Sequence, residues 1–415
     1  MIILTAAPDA MTVAIAQSDN AVPFQVTDPI AAGGITVDGA GVIYVTDRDH
    51  NVIRKITPQG EVSIFAGSPG RGGSADGEAE TAQFHTPEGV AIDGAGNVYV
   101  ADSDNHAVRK ITPDGVVSTL ASRASARSAG QGDQFQNPHR IALDEAANVY
   151  VLDGGVIRKI TPAGVLSILA VLPDKRGRVK DAEIAQSQIP GGLAIDARGN
   201  LYVADVSAYV IYKISSDGAV STFAGTALKS GADDGTGSVA RFYAPHDVAT
   251  DQAGNLFVAD TMNLTVRKVT PDGVVTTLAG AHHIGDVDGP GNMARFYGPE
   301  CIATDRAGNV YVSDNGHIRK ITPDGVASTL DGLFMRGDIA GAIAVYTRTV
   351  EVLPDQSDTG KTARQRAYNS RGKLRLQQGD FAGAIADFEA ALRINPQSPV
   401  YKQNLARAKA AAEGR

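Results

Sequence analysis

The chain of 415 residues has one cysteine, Cys301, and all of its continuous apolar runs are shorter than a membrane span. A single cysteine excludes a disulfide framework and a cysteine-based zinc cluster within the chain. The short apolar runs exclude a membrane-spanning helix. A signal peptide is only partly suggested: residues 14–17 resemble a cleavage site, but no basic segment precedes them, and Pro8 and Asp9 interrupt the apolar run. Cytoplasmic and exported locations, periplasmic or secreted, both stay open.

Positive charge is scarce in most of the chain. Residues 333–415 contain 13 Lys and Arg against 8 Asp and Glu, whereas the remaining residues contain 25 basic and 38 acidic side chains, a net charge of −13. Non-specific binding of nucleic acid relies on Lys and Arg to neutralise phosphates. The acidic main body therefore predicts that nucleic acid, RNA included, is not a partner.

Repetition is what the sequence has in abundance. A phrase that alternates short apolar runs with Gly, Asp, Asn and Pro occurs six times with a period of 51–55 residues. Each copy has an aspartate at the same place: Asp38, Asp93, Asp144, Asp196, Asp251 and Asp305. In the second copy we predict strands at 90–92, 98–102, 108–111 and 117–121, with tight turns between them. Each copy is therefore predicted to be a four-stranded antiparallel meander.

Six such sheets predict a mainly β fold. A four-stranded sheet has two apolar faces and cannot bury both alone, but six sheets arranged radially stack face to face as a β-propeller. The short first strand of each copy, such as residues 90–92, should line the central channel. Arg109 and Lys110 represent a third-strand pair that should lie further out and reach water. Residues 33–331 are predicted to form this six-bladed propeller.

The repeated residues resemble the NHL repeat family. The resemblance rests on residues 97–102 and 109–115 and on their counterparts in the other copies, of which the fourth departs most, with Tyr212 in place of arginine. It implies a propeller that acts as an interaction platform, whose variable loops recognise a protein or another ligand. Long connectors such as 67–87 and 225–245 should form this variable surface.

Residues 1–32 are predicted to be an N-terminal segment with one strand-like stretch at 11–16. This stretch is near the register of an outer strand of blade six, a place that residues 326–330 also claim. One of the two should add as an extra edge strand, which would shield an otherwise exposed edge. The sequence leaves open which strand is outermost.

The tail, residues 332–415, is predicted to be a small helical domain. Its apolar residues follow a helical period, which places Ala384, Phe388 and Ala391 on one helix face. The pattern resembles a tetratricopeptide repeat. A half copy, a full repeat and a capping helix are predicted at residues 337–354, 365–398 and 398–412.

A basic cluster without an intervening acid lies in the tail: Lys361, Arg364, Arg366, Arg371, Lys373 and Arg375. Two interpretations are open, an anionic partner or a solvated helix face that the acidic propeller complements. Arg371 and Arg375 also depart from the tetratricopeptide family, which prefers Leu and an aromatic residue there. About three repeats are needed for a stable solenoid. Self-association, or docking on the chain's own propeller, is therefore at least as well supported as peptide binding in a groove.

The residues just before each first strand should surround one mouth of the propeller channel. Six polar residues are predicted to bind a ligand there: Glu88, His139, Arg140, His246, Asp247 and Glu300. Imidazole and carboxylate groups that converge in a concave site suit a divalent cation, zinc or calcium. The candidate metal ligands are His139, His246, Glu88 and Glu300. The mouth resembles that of peptidyl-hydroxyglycine amidating lyases, in which histidines hold a metal, although only the two histidines match in kind.

The aspartates that end the second strands should lie near the same mouth: Asp47, Asp102, Asp153, Asp205, Asp260 and Asp314. A simpler interpretation competes with a functional one, because such aspartates commonly cap their own turns. The two histidines can likewise bond to neighbouring loops. His282 and His283 beside Asp286 and Asp288 resemble a cation loop without its closing Glu, so a flexible surface connector is predicted there.

These observations predict a non-catalytic binding scaffold. An NHL-type propeller would present loops to a protein or other ligand, and a tetratricopeptide-like module would serve association. The alternative is a metal-dependent lyase or hydrolase with its site at the channel mouth. Catalytic triads, phosphate loops and dinucleotide fingerprints do not occur at meaningful spacing. Metal content therefore separates the two hypotheses.

Overall fold

The structure, a computed structural model, describes most of the repeated region and part of the tail. The described residues are 30–58, 61–123, 134–174, 178, 190–330, 365, 368–369, 371–373, 375–376 and 379–413. Six antiparallel sheets form a ring, which confirms the predicted six-bladed propeller. The first strands of the repeats pack beside one another on the inside of the ring.

Each blade is a meander of four strands, and two blades have a fifth. Blade one contains β1 (Ala32–Val37), β2 (Ile43–Asp47), β3 (Val52–Ile56) and β4 (Val62–Ala66). Blade two contains β5 (Gly77–Glu78), β6 (Pro87–Ile92), β7 (Val98–Asp102), β8 (Ala107–Ile111) and β9 (Val116–Ser122). Blade three contains β10 (Pro138–Leu143), β11 (Val149–Asp153), β12 (Val156–Ile160) and β13 (Leu166–Val171). Blade four contains β14 (Leu193–Ile195), β15 (Leu201–Asp205), β16 (Val210–Ile214) and β17 (Val220–Gly225). Blade five contains β18 (Gly235–Thr236), β19 (Pro245–Thr250), β20 (Leu256–Asp260), β21 (Thr265–Val269) and β22 (Val274–Ala279). Blade six contains β23 (Pro299–Thr304), β24 (Val310–Asp314), β25 (His317–Ile321) and β26 (Ala327–Thr329).

The repeated aspartate caps the turn between the first and second strands of its blade. Asp93 Oδ1 accepts the backbone N–H groups of Ala95 and Asn97, and its Oδ2 accepts the Asn97 amide and the Tyr99 hydroxyl. A carboxylate that accepts nearby backbone N–H groups fixes a tight turn. This aspartate therefore belongs to the scaffold, as the turn-capping interpretation predicts.

Blade six closes the ring with four consecutive strands. Among the described residues its outermost strand is β26, at the place predicted for residues 326–330. β23 packs beside β1 across the closure, where the Cys301 thiol lies 3.3 Å from the Gly33 carbonyl oxygen. The competing stretch at residues 11–16 lies outside the described residues.

The third-strand arginines are buried, so the prediction that they reach water is wrong. The Arg109 guanidinium donates to Asp102 at 2.8 Å and to Asp76 at 2.6 Å, and it lies 5.2 Å from the Phe84 ring centre. Pairing, hydrogen bonds and stacking on an aromatic face offset the cost of taking the charge out of water. Lys110 keeps part of its surface in water, as predicted. Arginines at the equivalent places are buried as well: Arg54, Arg158, Arg267 and Arg319.

The buried arginines fasten the connectors between blades. Asp76, which pairs with Arg109, also accepts hydrogen bonds from the backbone N–H and the hydroxyl of Thr119 in β9. Asp234 and Asp288 make the equivalent ion pairs ahead of blades five and six. β5 and β18 add to the attachment as fifth strands that pair with β9 and β22. A connector such as 225–245 is therefore held at fixed points along its length.

The described part of the tail contains α1 (Phe381–Ile394) and α2 (Pro399–Glu413). Asp380 caps the N-terminus of α1 by accepting the Gly383 N–H at 2.9 Å. Phe388 of α1 is fully buried in a cluster with Ala408 of α2, so the second helix of the predicted repeat packs against the predicted capping helix. The half copy at 337–354 lies outside the described residues. No helix in the described ranges is long and apolar enough to cross a membrane.

The two arginines that depart from the tetratricopeptide pattern share one carboxylate. Arg371 Nη2 lies 2.6 Å from Asp387, and Arg375 Nη1 lies 2.9 Å from it. Arg371 is buried, so the interpretation of the basic cluster as a solvated face is wrong at this residue. Lys373 instead lies 3.1 Å from Asp286, in the connector before blade six. This contact supports docking of the tail on the chain's own propeller.

Candidate functional site: the channel mouth and the surrounding face

Arg140 lies at the centre of the predicted channel mouth. Its Nη1 donates to the His139 carbonyl oxygen at 2.9 Å. The same nitrogen lies 3.4 Å from Glu88 in blade two, and Nε lies 4.0 Å from Asp247 in blade five. The charge of Glu300 in blade six also acts on this guanidinium. The structure thus brings the predicted mouth residues together around one buried cation.

Asp247 of blade five is buried against Gly192 of blade four, a residue without a side chain. Its Oδ1 accepts the Val248 N–H and its Oδ2 accepts the Ile302 N–H, both at 2.9 Å. A Cβ at Gly192 would lie 1.9 Å from Oδ1, so this close approach requires glycine. Burial raises the pKa of Asp247 to about 6, against the opposing effect of the Arg140 charge. The carboxylate therefore joins blades five and six and leaves little room for a ligand of its own.

Both histidines at the mouth direct ring nitrogens at backbone carbonyl groups. His139 Nδ1 lies 3.1 Å from the Asn137 oxygen, and its Nε2 lies 3.0 Å from the Pro190 oxygen. His246 Nδ1 lies 3.3 Å from the Glu300 backbone oxygen. Burial lowers the pKa of both imidazoles, that of His246 to about 4. The neutral form of both rings is therefore favoured at pH 7. A neutral imidazole donates from one ring nitrogen only, so one of the two His139 contacts is a hydrogen bond.

The mouth offers few ligands for a metal in this arrangement. Among the residues that the structure describes, no three His, Cys, Asp or Glu side chains are placed to hold a metal ion together. The Cys301 thiol has its pKa raised to about 12 by burial, so it is not a thiolate at neutral pH. Metal binding through His139 would require one of its two backbone contacts to break. The His246 contact uses Nδ1 and does not by itself prevent Nε2 from binding a metal.

Elemental analysis tests the metal prediction, with a His139→Ala/His246→Ala double variant beside the wild type. We expect no stoichiometric metal in either protein after loading with zinc or calcium, because both ring nitrogens of His139 face backbone carbonyl groups and no three candidate ligands converge among the described residues. One equivalent of metal in the wild type, lost from the double variant, would contradict this expectation and establish the site.

The aspartates that end the second strands are engaged within their own blades. Asp153 accepts the N–H groups of Gln136 and Asn137 and pairs with Arg158 at 2.7 Å. The equivalent pairs are Asp47 with Arg54, Asp102 with Arg109, Asp260 with Arg267 and Asp314 with Arg319. In blade four, where Tyr212 stands in place of arginine, Asp205 accepts two backbone N–H groups of its own turn. These carboxylates therefore brace the scaffold.

The connector that carries His282 and His283 is also fastened. Asp288 lies 2.9 Å from Arg319 of blade six, and Asp286 lies 3.1 Å from Lys373 of the tail. Both carboxylates that suggested a cation loop are thus used in ion pairs. The prediction of a flexible surface connector is wrong at these two aspartates.

One sector of the mouth-side face exposes large apolar side chains. The apolar sector consists of Leu228, Tyr243, Met262 and Ile284, which are 38–64% exposed. The Met262 N–H donates to the Tyr243 carbonyl oxygen at 3.1 Å, and the Tyr243 ring packs edge-on against Tyr209 at 5.6 Å. Leu228 lies next to Tyr209, because the Leu228 N–H donates to the carbonyl oxygen of Ala208. The sector runs from blade four to the connector before blade six.

Small or polar residues occupy the same backbone places ahead of and within blade two. Gly70, Gly72, His85 and Asp104 stand where the apolar sector has Leu228, Ile284, Tyr243 and Met262. The backbone course is the same, because the Asp104 N–H donates to the His85 carbonyl as that of Met262 does to Tyr243. Apolar exposure therefore distinguishes this sector from the equivalent part of blade two.

The opposite mouth of the channel opens into a cavity of about 580 Å³. Its walls are the turns between the first and second strands of blades one, two, five and six, which include Gly39, Gly94, Gln252 and Arg306. The sequence predicts no site at this end, because its repeated aspartates have the pattern of turn caps in every copy.

Comparison with known proteins agrees with this architecture. The NHL repeat model matches residues 84–111, and the tetratricopeptide repeat model matches residues 366–398. The chain is a six-bladed propeller that contains an NHL repeat, and its tail contains a tetratricopeptide repeat. The resemblance drawn from the repeated residues is thereby confirmed, as are the propeller and the helical tail.

Relatives of the NHL propeller cover most of the chain at low identity. NHL repeat-containing protein 2 of Bos taurus is 28% identical over 338 residues, which are 70% of this chain and 46% of the relative. Protein SUPPRESSOR OF QUENCHING 1, chloroplastic, of Arabidopsis thaliana is 26% identical over 299 residues, which are 66% of this chain and 28% of the relative. The chain thus spans less than half the length of these curated relatives.

Among solved structures, the propeller is similar to an auxiliary nutrient binding protein from Bacteroides thetaiotaomicron. The TM-score is 0.53 at 17% identity, and the match covers 72% of this chain and 69% of that chain. At this identity the similarity concerns the fold alone.

Proposed function

We propose that the NHL propeller is a non-catalytic binding scaffold that recognises a protein partner through the apolar sector. The observation that carries the proposal is the placement of Leu228, Tyr243, Met262 and Ile284 at backbone positions that are small or polar ahead of and within blade two. Contiguous exposed apolar side chains mark interaction sites on protein surfaces. Tyr and Met are also among the residues enriched in interfaces.

The backbone beneath the apolar sector is fixed without a partner. Arg267 is fully buried and donates to the carbonyl groups of Asp233 and Arg241, in the connector that carries Leu228 and Tyr243. A preorganised loop loses less conformational entropy when it binds. This supports recognition by a preformed surface.

The channel mouth extends the same face with acidic groups. Glu300 is exposed and Glu88 is partly exposed. A partner that covers the apolar sector and reaches the mouth would meet these carboxylates, so charge complementarity favours a basic segment. The tetratricopeptide repeat is proposed to serve association as well. The alternative, a metal-dependent lyase or hydrolase, has less support because no three candidate metal ligands converge among the described residues.

Affinity capture from cells that produce the protein tests the proposal, with the wild type and a Leu228→Ser/Met262→Ser variant as baits. We expect the wild type to retain a specific protein and the variant to bind it about tenfold more weakly or worse, because central interface side chains dominate affinity. Both side chains are exposed, so the fold should tolerate the change.

A Val165→Ser/Val274→Ser bait is the matched control. These valines are 61% and 38% exposed and stand where the fourth strands of blades three and five begin, away from the mouth. The control should capture the partner as the wild type does. Equal capture by all three baits, or no protein specific to the wild type, would refute a role for the apolar sector.

A further inference from the structure

The cavity at the opposite mouth has the size and the polarity of a small-molecule site. Its volume of about 580 Å³ lies within the range of small-molecule sites, which are roughly 300–1,000 Å³. Its inner part is formed by the ends of first strands, where Thr250 and Thr304 lie beside Val37 and Ile92. The two threonine hydroxyl groups donate to backbone carbonyl groups of neighbouring first strands. The cavity thus has a largely polar lining suited to a hydrophilic ligand.

The cavity exists because the turns around it differ in one position. The residue after the repeated aspartate is Gly39 in blade one and Gly94 in blade two, but Gln252 and Arg306 in blades five and six. A Cβ at Gly39 would lie 3.1 Å from Arg306 Cζ, so the glycine gives the guanidinium room. Around Gly94 a Cβ would meet nothing within 4 Å. The absence of side chains at Gly39 and Gly94 therefore opens a space beside the Arg306 side chain.

Arg306 is an exposed guanidinium at the cavity wall. It differs from the third-strand arginines, each of which pairs with a buried aspartate. Within the described ranges, no carboxylate lies within ion-pair distance of Arg306. This holds for the carboxylate of Asp38 as well. Its hydrogen-bond donors therefore face the cavity and solvent.

Asp38 is the one repeated aspartate without an asparagine donor. In the other five copies an asparagine amide donates to Oδ2 at 2.7–2.8 Å, from Asn97, Asn148, Asn200, Asn255 and Asn309. The first copy has Val42 in that place. Asp38 Oδ1 keeps its two backbone donors, Ala40 and Val42, but Oδ2 has no donor among the described residues. A carboxylate oxygen at the cavity wall is thus left for a ligand.

We propose that this cavity binds a small zwitterion, an α-amino acid or a short peptide, with its carboxylate on Arg306 and its ammonium on Asp38. Arginine binds carboxylates through two parallel hydrogen bonds, and an under-bonded aspartate suits a cation. The other aspartates of the wall disfavour a simple anion, and Arg306 disfavours a simple cation. A ligand with both charges meets both residues. The site is independent of the apolar sector, which lies at the other end of the channel.

Binding to the full chain is tested with the twenty common amino acids and dialanine, by thermal shift and then isothermal titration. We expect at least one probe to raise the melting temperature. Asp38→Asn and Arg306→Gln should each lower its affinity about tenfold or more, in line with the loss of a charge-assisted contact. The asparagine keeps the acceptor for the two backbone N–H groups, so the turn should persist.

Two controls make the result decisive. Arg198→Gln changes an exposed arginine in the corresponding turn of blade four, outside the cavity, and should bind the probe as the wild type does. The probe's analogues without the amine, and without the carboxylate, should each bind about tenfold more weakly or worse. Absence of binding by every probe, or binding that neither variant weakens, would overturn the proposal. An amine analogue that binds as tightly as the amino acid would overturn it in favour of a simple cation site.

Discussion

An Arg267→Ala variant is expected to lose about 3–5 kcal/mol of unfolding free energy, because removal of one partner leaves a buried charge unpaired. Arg267 lies 2.9 Å from Asp260, which is fully buried. Burial already raises the pKa of Asp260, so its unpaired carboxylate would be unfavourable. The change also removes the guanidinium that lies 5.5 Å from the Phe242 ring centre. Asp234, in the connector ahead of blade five, would lose its ion pair with Arg267 as well.

Urea unfolding followed by circular dichroism measures this loss. Lys268→Ala is the matched control, because the neighbouring side chain is only half-buried and its ammonium lies over the Phe257 ring. It should cost less than about 1 kcal/mol. Asp234→Asn weakens the half-exposed end of the ion pair and should give a smaller loss in the same direction, even if Arg267→Ala does not fold. Equal losses for Arg267→Ala and Lys268→Ala would contradict the role of the buried arginine.

Replacement of Asp387 by alanine should destabilise the helical unit by about 3–5 kcal/mol while the propeller persists. Asp387 is 2% exposed and neutralises two cations, Arg371 at 2.6 Å and Arg375 at 2.9 Å. Arg371 is itself buried, so it would be left without its carboxylate partner. A helix pair with a small apolar cluster has little stability to spare.

A thermal melt that compares the far-ultraviolet helix signal with the tyrosine signal of the propeller measures this effect. Glu389→Ala removes an exposed pair with Lys409 at 3.5 Å and should change the melt by less than about 1 kcal/mol. An Arg371→Leu/Asp387→Leu variant should recover most of the loss, because apolar replacements of a buried ion pair are often neutral. A helix signal as stable in Asp387→Ala as in Glu389→Ala would refute the account.

The propeller could be predicted because its information is local and repeated. Turn caps such as Asp93 and short β-branched strands mark every blade, and Phe388 with its neighbours marks a helix. A local pattern does not show which partner a charged residue meets. Arg109 pairs with Asp76, which lies 33 residues away in a connector of variable length. An arginine in a regular strand has the same pattern whether it faces water or an aspartate of the preceding connector.

The channel mouth could be located from the sequence, but its contacts could not. His139 and His246 each stand five residues before a repeated aspartate, and this spacing places them at the same mouth of the ring. The direction of each imidazole depends on a neighbouring backbone group, such as the Pro190 carbonyl that faces His139. The apolar sector did have a signal, because Leu228 and Gly70 each precede a buried phenylalanine by 14 residues. An alignment of the connectors on those phenylalanines would have revealed the exchange.

The fastening of the connectors also makes them interchangeable parts. The connectors ahead of blades two and five leave the preceding sheet at Gly67 and Gly225, with φ of 107° and 93°, and both reach an anchoring aspartate and then a buried phenylalanine. The residues between these fixed points could be transplanted from one blade to another as a cassette. Recognition could then be moved around the ring, or duplicated on it, while the hydrophobic core of every blade stays as it is.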